Sequence, residues 1–230
     1  MSMPEALVTI TIERTHVLFA TYNYDISMDA VYTFLSPDTQ NATIGLACPN
    51  EWFTDDFDVQ ILDNQLSLPY VIHDYDDLIS ENETQTATWD TLDFFTFNCS
   101  LDAGILTNIS VRMDLGSSEY DNGITFRYFV ATAHSWSGNT YEVVTMNLIN
   151  LNGLRSFTFA PTPSSMIVDN PSSRTAIWNL NMSAFEEDSV RLTTIDDELY
   201  LEAIDFLIIL AAVSIPTIII ILVVFIRRKS

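Results

Sequence analysis

The segment "ILTNISVRMDL", residues 105–115, decides the fold. Taken at every second position it presents Ile105, Thr107, Ile109, Val111, Met113 and Leu115 on one side, and Asn108, Ser110, Arg112 and Asp114 on the other. Side chains of an extended strand alternate between two faces, so this period of two describes a strand with one face in a core and one in water. A helix needs a sustained run of apolar residues at its 3.6-residue period, and no segment before Thr194 shows one.

The same pattern recurs outward in both directions. "LVTITIE" (7–13) turns Val8, Ile10 and Ile12 inward, and "TAIWNLNMS" (175–183) does so with Ala176, Trp178, Leu180 and Met182. "VQILDNQLSLPYVI" (59–72) reads as two strands around an Asp63-Asn64 turn, with Pro69 at a strand end. Gly123, Gly138 and Gly153 close turns that separate strands at 105–115, 124–133, 141–149 and 154–160, a predicted antiparallel meander. Residues 161–173, "PTPSSMIVDNPSS", read as a loop or crossover. Phe95, Phe97, Phe126 and Tyr128 fall where a core needs large side chains. The expected fold is all-β: an antiparallel β-sandwich, either one large or two packed, spanning 1–193.

The chain then changes character. Residues 206–226, "FLIILAAVSIPTIIIILVVFI", contain no charge, and 21 residues at helical rise reach ~31 Å, the thickness of a bilayer core. Thr194 and Asp197 have capping-box spacing, so residues 194–205 are expected to be a helical lead-in to a single C-terminal transmembrane helix at 206–226. Arg227, Arg228 and Lys229 in the tail 227–230 set the orientation, because basic flanks stay in the cytoplasm. The expected placement is a cell-membrane protein with its large N-terminal domain extracellular. The first residues lack a basic and apolar leader. The rival is a tail-anchored adaptor facing the cytosol.

Charge narrows the partners. The chain carries 31 acidic and nine basic residues, a net charge of −22, and no basic residue lies between Arg14 and Arg112. Such a field opposes nucleic acid and anionic lipid and favours cationic partners or divalent ions. The most acidic half, from His16 to Val111, is therefore expected to face away from the membrane. Two aspartate clusters, Asp55, Asp56 and Asp58, then Asp74, Asp76 and Asp77, offer hard oxygen ligands of the kind calcium takes, though neither has the spacing of a calcium loop. A merely solvated acidic surface is the other reading.

Cys48 and Cys99 are the only cysteines and suit one disulfide, two buried free thiols being the other reading. Sequons at Asn41, Asn82, Asn98, Asn108 and Asn181 offer glycosylation sites, with Asn108 and Asn181 on wet strand faces. Trp136 lies in the loop "HSWSGN", where no core demands it, and is the candidate contact residue for a protein or glycan partner. There is no serine elbow, no paired metal-ligating histidines and no phosphate-cradling glycine loop. The expectation is a binding, adhesion or assembly module rather than an enzyme, with no cofactor beyond calcium. A membrane-anchored hydrolase with two facing carboxylates is the remaining alternative.

Overall fold

A computed structural model describes residues 1–18, 21–49, 57–63, 65–74, 92–120, 123–130, 138–187 and 189–196, and in the C-terminal segment 205, 208–212, 214 and 216. The described chain is all-β up to Asp196 and is arranged as a sandwich of one large and two small sheets.

The large sheet has eight strands in the order β12 (Ser165–Asn170), β13 (Ser173–Asn181), β10 (Tyr141–Ile149), β1 (Ser2–Leu18), β2 (Thr21–Leu35), β8 (Leu106–Tyr120), β4 (Phe57–Ile61) and β5 (Leu66–Ser67). One small sheet is β11 (Leu154–Ala160), β14 (Ser189–Asp196) and β9 (Thr125–Phe129). The other is β3 (Gln40–Pro49), β7 (Leu92–Leu101) and β6 (Tyr70–Asp74). Val8, Ile10, Ile109, Val111, Val144, Met146, Ala176 and Trp178 from the large sheet share one buried core with Ile44, Phe95, Phe97, Phe126, Val190 and Leu192 from the small ones. Alternate positions on each strand supply that core, as the period of two requires.

The inward faces match the sequence reading on β1, β8 and β13, where Ile10, Ile109 and Trp178 are buried. Ile105 departs from it. It stands before the first paired residue of β8 and is 55% exposed. Gly123, Gly138 and Gly153 all adopt positive φ, the conformation their turn positions demand. At Gly123 a Cβ would lie 2.3 Å from the Thr194 carbonyl oxygen, so the close approach of this turn to β14 also requires glycine.

Two expectations about connectivity are corrected. The meander does not exist: β8 and β10 lie in the large sheet with β1 and β2 between them, while β9 and β11 flank β14 in a small sheet. Successive strands cross between layers, and a period of two specifies which face is buried without specifying the neighbour. The sandwich is also not purely antiparallel, because β1 and β10 pair in parallel from Glu5↔Tyr141 to Glu13↔Ile149. The 59–72 segment forms its hairpin as β4 and β5, but beyond Pro69 the chain leaves for the other layer as β6. Residues 165–170, expected in a loop or crossover, form edge strand β12.

The helical lead-in at 194–205 is corrected at its start. Residues through Asp196 continue β14, with Val190, Leu192, Thr194 and Asp196 all turned inward and buried. Thr194 caps no helix; its hydroxyl accepts from the Ile124 backbone N–H at 2.9 Å. Among the described residues no helix is long and apolar enough to cross a membrane. Of the expected span 206–226, residues 208–212, 214 and 216 are described and helical, with Ser214 donating to the Leu210 carbonyl at 2.6 Å. The rest of that span and the tail 227–230 lie outside the described residues.

Candidate functional site

Strand β1 carries its inward parity past Ile12, and the next two inward positions are Arg14 and His16. Both are charged or chargeable groups at core positions, so both need partners. Arg14 Nε donates to Asp196 Oδ1 at 2.8 Å, with side chains 3% and 0% exposed. Its remaining nitrogens donate to the Asn152 and Gly153 carbonyls, and its guanidinium lies 3.3 Å from the centroid of the Tyr22 ring. A planar cation with several donors suits this combination of carboxylate, carbonyls and aromatic face.

Asp196 is held from its other side by Tyr24, whose hydroxyl lies 2.9 Å from each carboxylate oxygen and 3.2 Å from Thr194 Oγ1. Burial raises the Tyr24 phenol well above its ordinary value; the neighbouring Asp196 charge raises it further, against an opposing hydrogen bond from Thr194. Tyr24 therefore stays a neutral donor. His16 packs edge-on against Tyr22 at 5.3 Å, and its Nε2 lies 3.0 Å from Asp205 Oδ2. Asp205 is fully buried and helical, nine residues beyond Asp196. The cluster thus joins β1, β2 and β14 to the start of the C-terminal segment. Chemically it fixes the Arg14–Asp196 charge pair in a low-dielectric site, and the His16–Asp205 contact joins the C-terminal segment to it.

A second polar feature lies on the outer face of the large sheet. Asp58, Arg112 and Asp29 stand in one register row across β4, β8 and β2, and Arg112 Nε pairs with Asp29 Oδ1 at 3.2 Å in the open. Beside them an open groove of about 460 Å³ is lined by Ser27, Asp58, Arg112, Met113 and Asp114. Its carboxylates exceed its one guanidinium, so it favours a cationic ligand.

The residues singled out from sequence fare unequally. Asp58 is exposed on β4, whereas Asp74 ends β6 in a different sheet. Asp55, Asp56, Asp76 and Asp77, and Trp136, lie outside the described residues. Among the described residues no three acidic, histidine or cysteine side chains gather closely enough to hold a metal ion.

The Cys48–Cys99 disulfide is overturned. Cys99 is a free, buried thiol, and in the β3–β7 ladder it stands opposite Ala42 while Cys48 stands opposite Asp93. Six ladder positions separate them, roughly 20 Å at strand rise, well beyond a disulfide's reach.

Four sequons fall on described strands, and Asn82 does not. Two of them face each other. Thr43 Oγ1 donates to Asn98 Oδ1 at 2.6 Å, and Ser100 Oγ donates to Asn41 Oδ1 at 2.6 Å, both on the exposed face of β3 and β7. Asn108 accepts from Thr33 at 2.9 Å and Asn181 from Ser183 at 2.7 Å.

Sequence reasoning missed Arg14, His16, Asp196 and Asp205. The signal was present for the first three: each is polar at an inward position of an otherwise apolar alternation. Asp205 carried no such signal, since its burial depends on docking of the C-terminal segment.

The expected membrane-distal half is also divided by the structure. His16 and Tyr24 belong to it by sequence yet meet Asp205 and Asp196, and Tyr22 packs against His16 beside them. The sandwich is polarised along its strands, with these residues, the 150–153 turn and Asp205 at one end and Ser2, Leu35 and Tyr141 at the other.

No family model and no curated protein matches the sequence. Among solved structures, similarity extends to a candidate nutrient binding protein of Legionella pneumophila at 17% identity, covering 83% of this chain and 68% of that one, with a TM-score of 0.48. It also extends to an M1 zinc metallopeptidase of Deinococcus radiodurans at 9% identity, covering 84% of this chain and 42% of that one, with a TM-score of 0.43.

Proposed function

We propose that this chain is a single-pass membrane-anchored surface protein whose acidic sandwich is a binding, adhesion or assembly module, with the domain outside and the basic tail in the cytoplasm. One observation carries the reading: Asp205, the last acidic residue before the charge-free run 206–226, is buried against His16 at 3.0 Å. An apolar run long enough for a bilayer thus starts where the sandwich grips the chain, leaving no free stalk. A domain held in this way stands end-on, close to the lipid surface. The outer groove with Asp58, Asp114 and Arg112 supports a cationic protein or a polar glycan as partner. Calcium remains the ion the Asp55–Asp58 and Asp74–Asp77 clusters would take.

Protease added outside sealed vesicles that carry the full chain tests this topology. Removal of the domain without detergent is the expected result. A domain that survives until detergent is added would favour the tail-anchored, cytosol-facing reading instead.

A further inference from the structure

Glu142 sits at an inward position of β10, in phase with Val144, Met146 and Leu148, and is 1% exposed. Its neighbours across the large sheet are Ala6 on β1 and Leu180 on β13. The small side chain of Ala6 separates it from Tyr32 on β2, which stands opposite Ala6 on the other side. From the facing layer Tyr128 of β9 reaches in, donating its hydroxyl to Glu142 Oε1 at 2.6 Å and lying 3.3 Å from the Tyr32 hydroxyl. The titratable groups that meet Glu142 among the described residues are these two tyrosines. Neither supplies a positive charge. Glu142 Oε2 and the nearby Thr140 Oγ1, both buried, have no hydrogen-bond partner among the described residues.

This is a different situation from Asp196. There a guanidinium balances the carboxylate; here a carboxyl group spans the two layers with one oxygen bonded and, among the described residues, no cation beside it. A buried carboxylate without a counter-charge costs several kcal/mol, which the neutral acid avoids. We propose that Glu142 is a pH-sensitive latch between the layers, holding the sandwich closed as the neutral acid and loosening β9 from β10 when it ionises.

The direction of the linkage follows from burial, which raises the Glu142 carboxyl from 4.5 to about 7 against a smaller lowering by the Tyr128 hydrogen bond. Because the folded value lies above the unfolded one, the stabilisation is complete below pH 4.5 and is lost as pH rises through about 7. Burial, with the neighbouring Glu142 charge, raises Tyr32 and Tyr128 too, so both remain neutral donors across this window.

The test is urea unfolding of the full chain in detergent micelles between pH 5 and 9, comparing the native protein with Glu142→Gln. The unfolding equilibrium of the native chain should shift toward the unfolded state by on the order of a hundredfold more than that of the variant over this range. General charge repulsion acts on both chains and cancels in the comparison. A parallel pH dependence in the two would overturn the proposal. Should Glu142→Gln fail to fold, Tyr128→Phe decides: loss of the donor should move the midpoint to higher pH, and an unmoved midpoint refutes the latch. Infrared difference spectra give an independent readout, with a protonated-carboxyl carbonyl band expected at pH 6 and absent at pH 9. No such band at pH 6 would also refute it.

Discussion

His16 Nε2 lies 3.0 Å from Asp205 Oδ2, so a residue near the end of the first strand grips the start of the C-terminal segment. The two positions are far apart in sequence, and the contact forms only once β1, β2 and β14 have assembled. Asp205→Asn should therefore weaken docking while leaving the sandwich folded. Amide exchange of residues 22–24 and 194–196 should quicken about tenfold, equivalent to ~1.4 kcal/mol, while the β3–β7 ladder keeps its protection. Uniform acceleration across the sheets would contradict a local grip.

The Arg14–Asp196 pair carries a larger penalty. Arg14→Met leaves the buried Asp196 carboxylate without its counter-charge and should cost about 3–5 kcal/mol in urea unfolding. Arg14→Met combined with Asp196→Leu removes both charges and should cost less than the sum of the two single changes. Simple additivity would mean that the ion pair is not coupled.

Cys99 offers a chemical check on the absence of the disulfide. Burial raises its thiol to about 11, and only the thiolate is nucleophilic. In a Cys48→Ser background, folded protein at pH 8 should react with iodoacetamide roughly a hundredfold more slowly than urea-unfolded protein. A non-reduced native chain should then yield two alkylatable thiols on unfolding. Finding none until a reductant is added would restore the disulfide.

These tests bear on the part of the molecule that was hardest to read in advance. Faces were legible: the alternation in 105–115 and 175–183 correctly buries Ile109, Val111, Ala176 and Trp178. Neighbours were not, because the same alternation fits β8 beside β9 or beside β2, and only packing of the two layers selects β2. The parallel pairing of β1 with β10 joins residues more than 130 positions apart and leaves no local trace. Strand β14 has no counterpart in the sequence reading, which ends its last strand at Met182 and takes Thr194 and Asp197 as a capping box, although Val190, Leu192, Thr194 and Asp196 share one inward parity. The polar cluster followed the same logic, since Arg14, His16 and Glu142 all look like breaks in a strand until their partners are in place.

The central claim, an anchored sandwich standing end-on at a bilayer, is tested most directly by energy transfer to the membrane. In a Cys48→Ser, Cys99→Ser background, one donor dye is placed at Asn152→Cys, in the turn whose backbone binds Arg14. Another is placed at Asp38→Cys, beyond the opposite end of β2, a strand whose 15 residues span roughly 45 Å. With acceptor dye on the lipid headgroups of vesicles carrying the full chain, transfer from position 152 should be strong and transfer from position 38 weak. Equal transfer from both positions, stronger transfer from 38, or none from either would contradict the account.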